Sequence, residues 1–224
     1  KNSRVLFQPQ VMVSCLCFNN RILGMREEYD KILSESSPRM GNRLTRWLGR
    51  LVLRCMGWKM VGRLPSEKKL IIVGVPHTSN WDFVLAMACL QSVGLKVSFM
   101  MKKEAFLWPL ATFFKYLGGV PIDRSSQRDV TSQMVNWFDR NENVWMGITP
   151  EGTRSKVSAY KKGYLRISKA AGVPITLIGI DARSKEVVLH EETWKYTGKN
   201  NDEDNRAVKK FVDANFFGIN PKNQ

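Results

Sequence analysis

The stretch from Leu70 to Phe83, LIIVGVPHTSNWDF, is the part of the sequence that most constrains what this chain can fold into. Residues 70–75 form a short apolar run rich in β-branched side chains, which is typical of a strand buried on both faces. Pro76 ends that run, and the three N-cap residues at 78–80 predict a helix that continues through 83–90. The sequence therefore predicts a buried strand, a polar loop and a helix in direct succession.

The same stretch predicts that two titratable side chains meet. His77 falls in the loop and Asp82 in the first turn of the helix. In one regular helix, a five-residue offset would set them about 140° apart, but the turn before the helix lets His77 fold back over Asp82. A carboxylate that holds one imidazole nitrogen leaves the other free to take a proton from a hydroxyl. A capped helix with a polar loop and no chemistry is the alternative, and H-x4-D spacing alone does not exclude it.

Strand and helix patterns alternate beyond this stretch. Further strands are predicted at 97–101, 119–123, 144–149 and 174–181, with an edge strand at 186–190. Further helices are predicted at 104–117, interrupted early by Pro109, and at 125–140, 162–171 and 202–217. This alternation predicts an α/β fold with a mostly parallel or mixed central sheet flanked by helices. We divide the chain into an N-terminal helical segment, residues 1–60, and an α/β domain, residues 61–224.

The charge of the chain indicates an anionic partner. Thirty-five Lys and Arg residues against twenty Asp and Glu residues give a net charge of +15, which favours nucleic acid, an acidic membrane, a phosphorylated small molecule or an acidic carrier protein. The sequence contains no motif typical of a nucleic-acid-binding domain. It has four cysteines and two histidines, and no histidine lies near a cysteine pair in the sequence, so we expect no metal site.

Residues 41–60 predict an amphipathic helix with two possible roles. A stripe of arginines recurs at steps of three and four residues, at Arg39, Arg43, Arg46, Arg50 and Arg54, and the leucines fall mainly on the other side. The helix could pack on the core with a solvated basic face. It could also lie on an anionic membrane, with Trp47 and Trp58 at the depth of the headgroups. The surplus of arginine slightly favours the membrane.

Polar residues follow four predicted strands directly, at His77, Lys102, Arg124 and 151–154. Ligands of open α/β sheets collect beyond the carboxyl ends of the strands. Arginine forks and lysine charges suit phosphate oxygens, so these positions indicate a phosphorylated substrate whose hydroxyl His77 deprotonates. The absence of a P-loop, of G-x-G-x-x-G and of a G-x-S-x-G elbow argues against nucleotide hydrolysis, a nicotinamide cofactor and a serine nucleophile.

The motifs resemble those of a known family. They are H-T-S-N-W-D at 77–82, K-K-E at 102–104, G-G-V-P-I-D-R at 118–124, P-E-G-T-R at 150–154 and V-P-I at 173–175. This ordered set resembles the glycerolipid acyltransferases, which include the bacterial 1-acylglycerol-3-phosphate acyltransferases. The resemblance covers residues 58–183 and extends weakly to the C-terminus.

The resemblance implies roles for particular residues. His77 would be the general base that deprotonates a glycerol hydroxyl for attack on an acyl thioester, and Asp82 would hold it. The remaining substrate-binding residues implied are Lys102, Arg124 and Arg154 at the acceptor phosphate, Glu151, Gly152 and Thr153 at the acceptor pocket, and Pro174 on the acyl side.

The expected function is transfer of a fatty acyl group to lysophosphatidic acid, giving phosphatidic acid. The donor would be acyl-CoA or an acylated carrier protein, with no bound cofactor, and the enzyme would work on the cytoplasmic face of a membrane as a peripheral or monotopic protein. Pro76, Ala105 and Pro121 depart from the residues common in the family, which keeps another lysophospholipid or polar-lipid hydroxyl open as the acceptor. A basic protein that binds nucleic acid or membrane without catalysis is the alternative from a different class.

Overall fold

The computed structural model describes residue 29 and residues 31–107, 109–123, 127–198 and 200–224. Residues 1–28 and 30 of the predicted N-terminal segment lie outside these ranges. Among the described residues, no helix is both long and apolar enough to cross a membrane.

Seven strands of the described chain form one sheet. Their bounds are β1 Lys59–Gly62, β2 Lys69–Val75, β3 Ser98–Lys102, β4 Gly119–Ile122, β5 Val144–Ile148, β6 Ile175–Asp181 and β7 Glu186–Leu189. The spatial order is β1-β7-β6-β2-β5-β3-β4. All neighbours pair in parallel except β6 and β7, which are antiparallel.

Helices flank this sheet. Their bounds are α1 Arg43–Met56, α2 Trp81–Val93, α3 Leu110–Tyr116, α4 Gln127–Asp139, α5 Gly163–Ala171 and α6 Asn201–Asn215, and short 3₁₀ turns occupy Lys103–Ala105 and Pro221–Asn223. The predicted fold class, α/β with a mostly parallel central sheet, is confirmed. The helix predicted at 104–117 is split, because Pro109 precedes α3 and cannot donate a backbone hydrogen bond.

The central strand β2 is buried on both faces, as its apolar run predicts. Leu70 and Ile72 pack in a cluster with α1 and α2 on one face. Ile71, Val73 and Val75 pack on the other face, in a cluster with residues of α4, α5 and α6. The carboxyl end of β2, which His77 follows, therefore lies in the middle of the row of strand ends on that side of the sheet.

The prediction that residues 186–190 form an edge strand is wrong. Residues 186–189 form β7, which lies inside the sheet between β6 and the true edge strand β1. The sequence analysis missed β1 because this strand has only four residues and falls at the end of the helix predicted over 41–60. That helix in fact ends before Gly57, which has a φ of 72° and takes the left-handed conformation that glycine allows.

Helix α1 is amphipathic, but the side chains that it buries and exposes differ from those expected in either predicted role. Gly49 and Leu53 are its buried residues, whereas Leu44 and Trp47 are 62% and 57% exposed. Arg50 is half-buried and donates from Nε to the Ser92 carbonyl of α2 at 3.0 Å. The outward face is therefore mainly apolar, and the alternative of a solvated basic face holds only for Arg43 and Arg54, which are exposed.

Trp58 also departs from the prediction. It follows the end of α1 and is only 9% exposed, packed in the cluster that contains Leu53, Met60 and Leu64. It cannot lie at the depth of lipid headgroups while this cluster is intact. Of the two tryptophans assigned to the membrane, only Trp47 is exposed.

Candidate active site

The loop between β2 and α2 brings His77 and Asp82 together. His77 Nδ1 lies 3.1 Å from Asp82 Oδ2. The same oxygen accepts hydrogen bonds from the backbone N–H groups of Thr78 at 2.6 Å and Ser79 at 2.7 Å. Asp82, in the first turn of the helix, thus holds the loop that precedes it, while the Asn80 side chain makes no capping bond. The predicted fold-back of His77 over Asp82 is present in the structure.

The environment of this pair suits proton transfer. Asp82 is 3% exposed, and the His77 side chain is 19% exposed. Because Asp82 holds Nδ1, the imidazole keeps Nε2 for a substrate hydroxyl. Both residues line a cavity of about 1220 Å³, so a substrate in that cavity can reach the imidazole.

Glu151 holds the backbone of His77 from the loop that follows the neighbouring strand. It follows β5, which pairs in parallel with β2, so the two strands end at the same sheet edge. Glu151 is 6% exposed, and its Oε1 accepts a hydrogen bond from the His77 backbone N–H at 3.0 Å. Burial raises the pKa of the Glu151 carboxyl. In the structure, therefore, one of its carboxylate oxygens holds the His77 backbone.

The cavity has a long apolar part. It lies between α2 and the sheet, from residues 76–80, which we call the catalytic loop, across β6 and β7 toward β1. Apolar side chains from all these elements line it, among them Met60, Leu64, Ile72, Leu85, Leu90, Val93, Ile178, Val187 and Leu189. A chain of methylene groups gains free energy when it leaves water for such surroundings. Cys89 also lines the cavity, and burial raises its pKa to about 12, so it is a poor nucleophile at neutral pH.

The opening of the cavity is basic. Arg154, Lys161, Lys162 and Arg166 line it, and we call these four residues the basic mouth. Lys162 Nζ lies 2.6 Å from Asp202 Oδ1. Gly152 and Thr153 also line the cavity. Three members of the basic mouth were missed by the sequence analysis. They belong to no motif. They reach the site through a turn in which the Lys161 N–H donates to the Pro150 carbonyl at 2.8 Å.

Two other predicted site residues, Lys102 and Pro174, do not line this cavity. Lys102 is exposed at the end of β3 and is not among the residues that line the cavity. Arg124 lies outside the described residues. Pro174 precedes β6, and its carbonyl accepts a hydrogen bond from the Ile71 N–H at 2.9 Å. Because Ile71 lies near the amino end of β2, Pro174 is at the opposite sheet edge from His77, contrary to the expected place on the acyl side.

In the part of the chain that the structure describes, no group of three or more His, Cys, Asp or Glu side chains is placed to hold a metal ion.

The fold and site define an α/β protein whose His–Asp pair opens onto an apolar cavity with a basic mouth.

Comparison with known proteins extends this description. The family described as Acyltransferase matches residues 59–181, more than half of the chain, and the chain belongs to this family. It is an acyltransferase, and the match agrees with the resemblance to the glycerolipid acyltransferases.

The fold is similar to that of a solved structure, the crystal structure of the 1-acyl-sn-glycerophosphate (LPA) acyltransferase PlsC from Thermotoga maritima. The two chains are 19% identical, the TM-score is 0.53, and the match covers 77% of this chain and 78% of that chain. At this identity the likeness concerns the fold. No curated protein matches the chain.

Proposed function

We propose that this acyltransferase moves a fatty acyl group from a thioester donor to the free glycerol hydroxyl of a lysophosphatidic acid, giving phosphatidic acid. One observation supports the proposal: the imidazole held at 3.1 Å by Asp82 lines the same cavity as the apolar side chains and the basic mouth. An amphiphile with an acyl chain and a phosphate matches both parts. Another lysophospholipid or polar-lipid hydroxyl remains the alternative acceptor.

In the proposed reaction, Nε2 of His77 takes the proton from the acceptor hydroxyl as the oxygen attacks the thioester carbonyl. The new C–O bond gives a tetrahedral intermediate, and its collapse breaks the C–S bond. The thiolate leaves and receives the proton from the imidazolium. The products are an ester and a free thiol, and the imidazole returns to its starting form. Asp82 stabilises the imidazolium through Nδ1 at the moment when His77 carries the proton.

The acceptor phosphate would be bound at the basic mouth. Arg154 is exposed and lines the cavity, and a guanidinium can hold two phosphate oxygens at once. The resemblance adds Arg124 to this role, whereas Lys102 does not line the cavity. Lys161 and Arg166 line the same opening and supply further positive charge. The donor would be acyl-CoA or an acylated carrier protein, whose chain enters the apolar part, and no bound cofactor is needed for the reaction.

We also propose that the enzyme docks on an anionic membrane, at its cytoplasmic face, as a peripheral or monotopic protein. Large apolar side chains are exposed on α1, on α2 and around α3, namely Leu44, Trp47, Leu48, Leu51, Val52, Trp81, Phe83, Val84, Leu107, Leu110, Phe113 and Tyr116. Exposed apolar surface of this kind marks an interaction site. Phe83 also lines the cavity, so an acceptor could pass from the lipid to His77. The net charge of +15 favours an acidic leaflet.

A thiol-release assay tests the proposed reaction. Purified protein is given acyl-CoA and acylated carrier protein, each with lysophosphatidic acid, with other lysophospholipids and with monoacylglycerol, which has the same hydroxyl and no phosphate. We expect thiol release with lysophosphatidic acid and little release with monoacylglycerol. Release that is equal with both acceptors, or best with another headgroup, would replace lysophosphatidic acid by the alternative acceptor.

The basic mouth is tested by substitution. Arg154→Ala should raise KM for the phosphorylated acceptor because a bidentate phosphate contact is lost, and Arg154→Lys should restore only part of it. The matched control is Arg140→Ala, because Arg140 is exposed just before β5, at the other sheet edge. An equal loss with phosphorylated and phosphate-free acceptors would show that Arg154 has a structural role.

A further inference from the structure

The last described residues fold back onto the catalytic loop. Residues 218–224, which we call the C-terminal brace, follow a segment that is hydrogen-bonded to the end of β6. The Phe217 N–H donates to the Ile180 carbonyl at 3.1 Å, and the Ala182 N–H donates to the Phe217 carbonyl at 2.8 Å. Gln224 Nε2 donates to the Phe216 carbonyl at 2.7 Å. The brace is therefore attached to the sheet at the edge where His77 lies.

Thr78 receives the contacts of the brace. The Asn220 N–H donates to Thr78 Oγ1 at 3.0 Å, and Asn223 Nδ2 donates to the Thr78 carbonyl at 2.9 Å. At Gly218, an added Cβ would lie 2.4 Å from Thr78 Cγ2, so only a glycine lets the two segments come this close. Thr78 is 2% exposed. Its hydroxyl and its carbonyl are both held from a part of the chain far away in sequence.

Thr78 in turn fixes the carboxylate. Its N–H donates at 2.6 Å to Asp82 Oδ2, the oxygen that lies 3.1 Å from His77 Nδ1. Asp82 Oδ1 is buried and has no hydrogen-bond partner among the described residues. The orientation of the carboxylate thus depends on Oδ2 and on the donors of Thr78 and Ser79.

We propose that the C-terminal brace is a positioning element for the His77–Asp82 pair, with Asn223 as its main positioning residue. By fixing Thr78, it aims the Thr78 N–H at Asp82, and Asp82 then holds the imidazole in the orientation that accepts the proton. This inference rests on the proposed function, because it assigns the brace to the proton transfer by His77.

The first test compares two asparagines that make the same kind of bond. Asn223→Ala removes the bond to Thr78, and Asn141→Ala removes an equivalent bond from Nδ2 to the Trp137 carbonyl at 2.7 Å, at the end of α4. We expect Asn223→Ala to lower kcat roughly tenfold with little change in KM, since small misplacements of catalytic groups cost up to ~10²-fold. Asn141→Ala should leave kcat unchanged. An unchanged kcat in Asn223→Ala would overturn the proposal.

A double-mutant cycle separates positioning from a general loss of stability. In the Asp82→Asn background the carboxylate that the brace orients is already gone, so Asn223→Ala should cause no further loss of kcat. Equal losses in both backgrounds would show that Asn223 acts independently of Asp82, which contradicts the proposal. Asn223→Asp keeps the shape of the side chain but replaces the donor with an acceptor, and it should lower kcat at least as much as Asn223→Ala.

A spectroscopic test does not depend on turnover. The chain has two histidines, His77 and His190, so a histidine-labelled sample gives two imidazole signals. Asn223→Ala and Gly218→Ala should both shift the His77 ring nitrogens more than those of His190, which packs against Phe216 next to the brace. If the wild type showed no acyl transfer but this shift occurred, the proposed function would be wrong and the brace right. If the His77 signal is unchanged in both variants, the brace does not position the imidazole.

Discussion

His77 can act as a base only while one of its ring nitrogens is held and the other faces the substrate. Asp82 supplies the first condition at 3.1 Å, and the cavity supplies the second. A general base contributes ~10²–10⁴ in rate, so His77→Ala should reduce thiol release by about that factor while circular dichroism shows an intact fold. His190→Ala is the control. His190 lies away from the loop that contains His77, and its carbonyl accepts a hydrogen bond from the Thr176 hydroxyl near the start of β6. Thiol release should therefore persist in this variant. Retention of a third of the activity in His77→Ala would refute the role of base.

Asp82→Asn tests the carboxylate separately from the imidazole. The amide keeps the size of the side chain, but it removes the charge that stabilises the imidazolium and can present an N–H group to Nδ1. We expect a severe loss of kcat, with KM for both substrates nearly unchanged, because neither substrate is bound by this buried group. The measurement is a steady-state comparison with the wild type. A rise in KM at constant kcat would move Asp82 from catalysis to binding.

Glu151 gives a pH prediction. Burial raises its pKa above the ordinary value of 4.5, so the folded state favours the protonated carboxyl. The stability that this group contributes is fully present below pH 4.5 and is lost as the pH rises through the raised pKa. Glu151→Gln cannot ionise, and its amide oxygen can still accept from the His77 N–H. The free energy of unfolding of the variant, measured with urea, should therefore gain on the wild type as the pH rises from 4 to 8. Glu142→Gln, at an exposed position, is the control. If the difference in the free energy of unfolding between Glu151→Gln and the wild type did not change with pH, the prediction would be contradicted.

At the scale of residues, the sequence predicted what depends on local chain geometry. The H-x4-D spacing and the turn before α2 were enough to place His77 over Asp82. The bond from Glu151 to the His77 backbone depends on β5 lying beside β2, and the grip of Asn223 on Thr78 joins positions 145 residues apart. Pairings of this kind follow from the topology of the sheet, which a periodicity in the sequence does not specify.

At the scale of elements, the packing of α1 on α2 depends on one small residue. A Cβ at Gly49 would lie 2.5 Å from the Ser92 nitrogen and 2.8 Å from the Ala88 carbonyl oxygen. Alanine favours a helix over glycine by about 1 kcal/mol, but here it meets backbone that cannot move aside. We therefore expect Gly49→Ala to destabilise the fold by roughly 1–3 kcal/mol, measured by urea unfolding.

Gly163→Ala is the matched control for that substitution. Gly163 is the first residue of α5, and an added Cβ there meets nothing within 4 Å. This variant should be neutral or slightly more stable than the wild type. If Gly49→Ala were equally harmless, the close contact of α1 and α2 would not be needed for the fold.

The elements also show where a sequence pattern runs out. Strand β2 and its following helix were predicted close to their observed positions, because a buried apolar run and the polar turn that follows it carry local signals. For α1, the amphipathic pattern was right and its orientation wrong. A hydrophobic stripe defines one face of a helix, but it does not say whether protein or another apolar medium covers that face. Gly49 and Leu53, between the arginines, were the positions that packed against α2.

At the scale of the whole molecule, the exposed apolar residues of α1 change how membrane docking must be tested. Arg46 and Arg50 are half-buried beside α2, and Arg50 Nε donates to the Ser92 carbonyl. Replacing these two arginines would disturb the packing of α1 as well as the surface charge. Arg43 and Arg54 are exposed and can be replaced without that side effect, so they are the appropriate positions for testing charge.

The last prediction separates apolar insertion from charge attraction at that surface. Leu44, Leu48 and Leu51 are exposed along one side of α1, and replacing all three with Gln keeps a good helix former at each position. Each leucine that enters lipid gains about 1.5–3 kcal/mol. The triple variant should therefore bind anionic vesicles at least a hundredfold more weakly in a co-sedimentation assay, both at low and at high salt. Arg43→Gln with Arg54→Gln should weaken binding by roughly thirtyfold at low salt, at about 1 kcal/mol for each charge, and by less at high salt, where ions screen the attraction. Both variants should still acylate a short-chain acceptor that is soluble in water, because neither changes the cavity.

If the leucine variant sediments like the wild type, α1 does not dock on the membrane, and the apolar residues around α3 become the next surface to test.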